Sequence, residues 1–378
     1  MKIHPIKILA DAHIPFLKGV VERYGEVEYL PGNQFTPDAV KNKDALIVRT
    51  VTRFNEEMLA GSQVKLICSA TIGFDHIDTA YCDAQGIAWR TAPGCNAASV
   101  EQYVTASLLY LAREHRFRLN EKTIGIVGVG NVGSKVAAAC QKLGMRVLLN
   151  DPPREEIEGA AAFTPIETIQ QEADIITFHT PLTRNGKHKT YHLAGDEFLN
   201  ATTRQPFIIN AARGGVVDNR ALVCALRTKT VSGAVIDCWE NEPNIDPELL
   251  KLVDIATPHI AGYSADGKWN ATRMSLEQLS DYFQLDLVPR YQEIPTPAEP
   301  SIFLDGLEPS HQLEKAVWHT YDPAAETEAL KAAPNEFYHF RSHYPLRREY
   351  PAYRVLGCDE SFAPLLTELG FQVVRQHQ

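Results

Sequence analysis

No stretch of the 378-residue chain approaches the roughly 20 consecutive apolar residues that cross a bilayer. The first residues, Met1-Lys-Ile-His-Pro-Ile-Lys7, lack the long apolar core and cleavage site of a secretory signal. The expectation is a cytoplasmic protein without a membrane partner. Cysteine is sparse and unordered: the seven residues, an odd number, form no C-x-x-C pair, which argues against a disulfide framework or a zinc site. No metal is expected. Positive charge is in deficit, with 37 Lys and Arg against 47 Asp and Glu, and the net charge of −10 excludes nucleic-acid binding as the main business. It leaves room for a small anionic ligand, which needs only a few local arginines, lysines and backbone amides. There is no internal repeat.

What is present is globular: 44% apolar and 22% charged residues, in a chain too long for one core and suited to two or three domains. In the first hundred residues short apolar segments read as strands at Ile6–Ala10, Val27–Leu30, Ala45–Val48, Val64–Cys68 and Ile87–Trp89. Ile14–Tyr24 and His76–Gln85 read as helices. Such alternation means a parallel sheet covered on both faces. From Asn96 a long helix, with Val100, Val104, Leu108 and Leu111 on one face, crosses into a second α/β region. That region reads as a strand at Thr123–Val127, a helix Asn131–Leu143 closed by Gly144, and a strand at Met145–Leu149. A capping box follows at Thr164–Glu167, then strands at 175–178, 207–209, 231–236 and 255–256, with a helix capped by Asp218. Beyond about Leu285 prolines recur, at 289, 295, 297, 300, 309, 323 and 334. A helix at Leu313–Tyr321, a strand at Tyr353–Leu356, a helix to Glu368 and a strand at Phe371–Val374 then suggest a small third α/β domain.

The chemistry begins at Gly128-Val-Gly130-Asn131-Val132-Gly133. Glycines between a buried strand and a helix let backbone approach a pyrophosphate, and the helix N-terminus favours the anion. The next strand delivers Asp151, 18 residues beyond Gly133, where a carboxylate pairs with a ribose diol and repels a 2'-phosphate. NAD is the expected cofactor, with Arg154 the one nearby charge that could favour NADP.

Oxidising a 2-hydroxy acid needs a base for the hydroxyl proton, a cation for the carboxylate and growing carbonyl, and a nicotinamide to take hydride. Arg213, in Ile208-Ile-Asn-Ala-Ala-Arg-Gly-Gly215, offers a planar fork for a carboxylate. His259, in Ala256-Thr-Pro-His-Ile-Ala-Gly262, is the candidate base, and Glu242 the carboxylate that fixes its tautomer. Each follows a strand, and ligands of open α/β sheets sit beyond the carboxyl ends of strands.

From Met1 to about Asp281 the chain resembles the D-isomer-specific 2-hydroxyacid dehydrogenases. The likeness rests on the Arg, Glu, His trio, Ala92-Pro-Gly-Cys-Asn96, Asp237 with Glu242-Pro243, and Pro258-His259. It implies a flavodoxin-like, doubly wound substrate domain (1–96 and 260–285), a Rossmann NAD domain (97–259) and a small C-terminal α/β dimerisation domain (286–378). By motif matching it implies that Thr50, Thr71 and Tyr263 touch substrate. Asp151, Thr180, Ala211, Asp237 and Gly262 would touch NAD. The full-length likeness implies a homodimer that oxidises a phosphorylated four-carbon 2-hydroxy acid on the way to vitamin B6. A phosphorylated three-carbon acid, and an NAD-sensing interaction protein on the same fold, remain as alternatives. Arg49, Arg53 and the pair Arg347-Arg348 are the candidates for holding the substrate phosphate.

Overall fold

The structure is a computed structural model that describes residues 5–285 and 290–374. Met1–His4 and Pro289, both part of the sequence argument, lie outside the described residues. The chain divides into two compact units, one of residues 1–96 with 264–295, the other of 97–263 with 296–378.

In the first unit five parallel strands run β1 (Ile6–Asp11), β2 (Gly25–Leu30), β3 (Ala45–Val48), β4 (Leu66–Ser69) and β5 (Ala88–Arg90), in sheet order β2-β1-β3-β4-β5. That is the flavodoxin-like order. Alternate residues feed two cores: Ile8, Ile47, Leu66 and Cys68 on one face, Leu9, Leu46, Val48 and Ile67 on the other. The expected parallel sheet covered on both faces is therefore present. One helix expected here does not form. Ile14–Tyr24 is a run of turns ending in a 3-10 turn at Val21–Arg23, since Pro15, Phe16 at φ +62° and Gly19 at φ +87° break the helical path. The second expected helix begins only at Thr79, where Asp78 accepts a hydrogen bond from the Tyr81 amide, and not at His76; short helices at Pro37–Val40 and Glu56–Leu59 come before it.

The second unit holds six parallel strands: β6 (Thr123–Val127), β7 (Arg146–Asn150), β8 (Ile175–Phe178), β9 (Phe207–Asn210), β10 (Gly233–Ile236) and β11 (Ile255–Ala256). Their order, β11-β10-β9-β8-β6-β7, reverses between β6 and β8, the switch point at which doubly wound sheets bind ligands. Ile126, Ile175, Ile209 and Val235 fill one face, and Ile176, Phe178, Ile208 and Ile236 the other. A fully buried side chain of this size contributes roughly 1.5–3 kcal/mol. The Thr164 capping box is not formed: the helix Ile166–Glu172 starts from Pro165 without a side-chain cap.

Residues beyond 300 form a small parallel sheet of β12 (Ser301–Phe303), β13 (Arg354–Leu356) and β14 (Gln372–Val373), in that order. Helices Pro309–Thr320, Pro323–Ala332, Phe337–Ser342 and Ala363–Leu369 accompany it. This segment shares one hydrophobic core with the long helix Ala97–Glu114 through Val317, Tyr321 and Tyr350. Polar bonds reinforce the junction: Gln102 Nε2 donates to Thr320 Oγ1 (3.0 Å), Trp318 Nε1 to the Ala106 carbonyl (3.2 Å), and the Ala256 amide to Thr327 Oγ1 (3.1 Å).

Candidate active site

The glycine turn after β6 is shaped for something larger than a turn. At Gly128, φ +88°, a Cβ would lie 2.8 Å from the His179 and Thr180 backbone, and at Gly133 it would lie 2.0 Å from the Gly128 carbonyl oxygen. Those two close the turn and pack helix on strand. At Gly130 a Cβ would meet nothing within 4 Å, so this glycine is spared a side chain by no protein neighbour. The helix Asn131–Lys142 starts there without a side-chain cap, leaving its first amides for a ligand. Opposite, the Thr180 hydroxyl and His179 Nδ1 are buried with no hydrogen-bond partner among the described residues. His179 Nε2 faces Thr177 Oγ1 at 3.0 Å, and burial pulls its imidazole down to about 3, so the ring is neutral. These features fit a dinucleotide.

At the end of β7, Asp151 accepts from the Val129 amide (2.8 Å) and caps the helix Pro152–Glu158 through the Arg154 amide (3.2 Å). The Arg154 guanidinium is turned to Glu158, with Nε and Nη2 each donating at 2.7 Å, and Nη1 bonds the Val129 carbonyl. The one charge that could have favoured a 2'-phosphate is engaged elsewhere.

The trio lies in the loops that follow β9, β10 and β11. Asn210 ends β9 buried, donates to the Arg213 and Cys238 carbonyls (3.1 and 3.2 Å) and accepts from the Ala212 amide (3.2 Å), which fixes the loop that presents Arg213. At Gly214 a Cβ would come within 1.8 Å of the Trp239 oxygen, so the residue after the arginine must be glycine for the loops to meet. Nδ1 of His259 faces the two Glu242 oxygens at 2.8 and 3.0 Å. Glu242 also accepts from the Trp239 amide (2.9 Å) and from Arg341 Nη1 (3.3 Å). Burial pushes the Glu242 carboxyl up, but the hydrogen bond and charge of His259, the Trp239 amide and the Arg341 charge outweigh it and hold the carboxyl below its ordinary range.

His259 occupies the left-handed region, φ +58°, and the residues after it are clamped from two sides. Asp237, buried, accepts from the Ile260 and Ala261 amides (2.7 and 3.1 Å) and from Thr257 Oγ1 (2.7 Å). Burial raises its carboxyl above the ordinary range despite these bonds and the charge of His259. Arg347 takes the carbonyls: Nη1 donates to Ile260 (3.1 Å) and Tyr263 (3.3 Å), Nη2 to Ala261 (2.6 Å) and Ser99 (3.1 Å), and Nε to Gln102 Oε1 (3.0 Å). Arg347 was a candidate for the substrate phosphate. Buried and with every donor nitrogen bonded to protein, it is instead part of the loop's support.

Cys238 Sγ, a Glu242 oxygen and a His259 nitrogen lie within 4.8 Å of one another, but burial pushes the Cys238 thiol well up, which makes it a poor metal ligand. In a second group, His192 has Nδ1 3.1 Å from Asp218 and Nε2 2.7 Å from Glu240, so both ring nitrogens already face carboxylates.

In the first unit, Thr50 follows β3 and Thr71 follows β4, the carboxyl ends of adjacent strands. Thr50 lines an open pocket with Val51, Arg53, Asp75 and His76. Thr71 Oγ1 is 2.7 Å from Ser69 Oγ, which lies 3.1 Å from His76 Nε2. Arg49 spends Nε and Nη2 on the buried Asp11 (2.8 and 3.2 Å). Arg341, on the helix Phe337–Ser342, is the residue that sequence reading missed. No local motif marks it, and its partner Glu242 is 99 positions away.

The family model of the D-isomer specific 2-hydroxyacid dehydrogenase NAD binding domain matches residues 97–261. An erythronate-4-phosphate dehydrogenase of Bacteroides fragilis is 51% identical over 352 residues, 93% of this chain and 99% of that one. The protein of the same name from Porphyromonas gingivalis is 44% identical over 367 residues, 97% of this chain and all of that one. Among solved structures, the NAD-bound 3-phosphoglycerate dehydrogenase of Entamoeba histolytica superposes with a TM-score of 0.61 at 25% identity, covering 75% of this chain and 97% of its own.

Proposed function

Because the chain belongs to the D-isomer specific 2-hydroxyacid dehydrogenases, we propose that it oxidises 4-phosphoerythronate to 3-hydroxy-2-oxo-4-phosphooxybutanoate, a step toward pyridoxal 5'-phosphate. NAD is the cofactor, and when bound along Gly128–Gly133 it supplies the hydride acceptor. In this reading Asn131, Val132, Asp151, Thr180, Ala211, Asp237 and Gly262 border it.

The observation that carries the reaction class is the Glu242–His259 pair at 2.8 Å, with Nδ1 committed to the carboxylate. Nε2 is then the nitrogen left to take the C2 hydroxyl proton as the C2–H electron pair departs as hydride, giving the ketone and an imidazolium. Glu242 offsets that new charge. Arg213 holds the carboxylate and polarises the forming carbonyl, and Thr50, Thr71 and Tyr263 complete the substrate's surroundings. The choice of substrate rests on the near full-length likeness to the erythronate-4-phosphate dehydrogenases. A homodimer built through residues 286–378, in the cytoplasm, belongs to the same reading.

The test is oxidation of 4-phosphoerythronate against 3-phosphoglycerate, followed by NADH formation in a single turnover so that product release does not mask chemistry. Preference for the four-carbon acid, lost in His259→Ala with NADH binding intact, is the expected result. Preference for 3-phosphoglycerate would move the enzyme to the three-carbon substrate of its structural neighbour. No turnover of either, with NAD still bound, would favour a sensor.

A further inference from the structure

A 2-hydroxy acid that is also a phosphate ester carries two anionic groups, the carboxylate on the reacting carbon and the phosphate two carbons further on. Arg213 answers the first. For the second, two of the candidates visible in sequence are turned to protein groups: Arg347 has every donor nitrogen bonded, to backbone carbonyls and Gln102 among others, and Arg49 has Nε and Nη2 on Asp11. Arg53 lines the open pocket with Thr50.

Arg341 is different. Its Nη1 donates to Glu242 (3.3 Å) and its Nε to the Tyr263 hydroxyl (3.3 Å), one residue in the catalytic pair and the other assigned above to the substrate's surroundings. Its side chain is 30% exposed, and among the described residues Nη2 has no hydrogen-bond partner. Glu242 is the shared partner of Arg341 and of the His259 imidazole, so Arg341 supplies a guanidinium next to the catalytic pair for the second anionic group of the substrate. With Nη1 on Glu242 and Nε on Tyr263, the planar guanidinium still presents the N–H groups of Nη2 for phosphate oxygens.

We propose that Arg341 binds the phosphate of the substrate and so selects the phosphorylated acid over the free one. This rests on the 4-phosphoerythronate reading.

The experiment compares kcat/KM for 4-phosphoerythronate and for unphosphorylated erythronate, by single-turnover NADH formation, in the full chain and in Arg341→Met and Arg341→Lys. NADH affinity by fluorescence serves as the control for an intact cofactor site. Charge-assisted hydrogen bonds of this kind predict that R341M lowers the ratio of the two kcat/KM values by about 10- to 100-fold, with R341K intermediate. An unchanged ratio overturns the proposal, whether both substrates fall together, which would confine Arg341 to steadying Glu242, or neither falls. Should R341M not fold, R341K alone decides, because a lysine keeps the charge but not the fork and must still lower the ratio. A wild-type enzyme that oxidises neither acid would sink the substrate reading itself, a failure separate from an active enzyme with an unmoved ratio.

Discussion

Replacing Glu242 by glutamine tests the catalytic pair through a conflict that the structure makes unavoidable. Three donors converge on two carboxylate oxygens: the Trp239 amide on Oε1, Arg341 Nη1 on Oε2, and His259 Nδ1 within 3.0 Å of both. A carboxylate accepts from all three. An amide cannot, since turning its oxygen toward Arg341 points its NH2 at the Trp239 N–H, and the opposite flip sets NH2 against Arg341. In either pose the imidazolium formed during turnover loses its counter-charge. Hydrogen bonds to charged groups contribute roughly 1.5–3 kcal/mol each, so weakening the bond to His259 and losing one of the other two, to Trp239 or to Arg341, predicts a fall in kcat/KM of about 10²- to 10⁴-fold. The assay is single-turnover NADH formation in E242Q, with NADH affinity as control. Activity within tenfold of wild type would refute the assignment. A second readout is stability against pH. The Glu242 carboxyl is depressed from its ordinary value of 4.5, so its contribution is complete above that value and lost as pH falls through the lower, folded-state value. The urea-unfolding advantage of wild type over E242Q should therefore be full at neutral pH and shrink below about 4.5.

Two further substitutions separate cofactor binding from folding. Gly130→Ala adds a methyl where nothing protein-made lies within 4 Å; its unfolding midpoint should stay near wild type while the NADH dissociation constant rises at least about tenfold. Gly133→Ala drives a methyl to 2.0 Å from the Gly128 oxygen and should unfold the domain or lower its stability by about 1–3 kcal/mol or more, read in the same urea titration. Arg347→Met removes the buried guanidinium from four backbone carbonyls and Gln102. Ile260 O keeps the Tyr263 amide and Ala261 O keeps Ser99 Oγ, which softens the loss, so a cost of about 3–5 kcal/mol is expected, with less than 1 kcal/mol counting against the clamp.

The central strands were legible because they are short, mainly apolar runs buried on both faces, as in Ile175–Phe178 and Phe207–Asn210, whereas the partly exposed Ser301–Phe303 was not read as a strand. The glycine turn was legible because a tight strand-to-helix crossing demands small residues at fixed offsets, and Asp151, a helix cap, because it directly follows the next strand. Ile14–Tyr24 misled, since its apolar spacing suits a helix while Pro15, Phe16 and Gly19 set the backbone otherwise. Thr164 misled because its amide is taken by the Leu149 carbonyl and the helix begins beyond it. The roles of Arg341 and Arg347 were illegible for one reason: apart from the nearby Tyr344, Arg347 bonds partners 84 to 248 positions away, Arg341 bonds partners 78 and 99 away, and no local pattern reports such pairings.

The grip on Ile260 and Ala261, amides by Asp237 and carbonyls by Arg347, gives His259, the proposed base, two custodians from distant parts of the chain. One belongs to the sheet that carries the cofactor cradle, the other to a stretch beyond residue 300. A protease that nicks the Pro-rich connection near 295–300 without releasing the end piece should leave turnover standing. Stripping that piece away should abolish it even with Arg213, Glu242 and His259 all present. Grafting only the first 285 residues onto another protein, as the shorter structural neighbours would tempt an engineer to do, would transplant the reagents without the hand that steadies them.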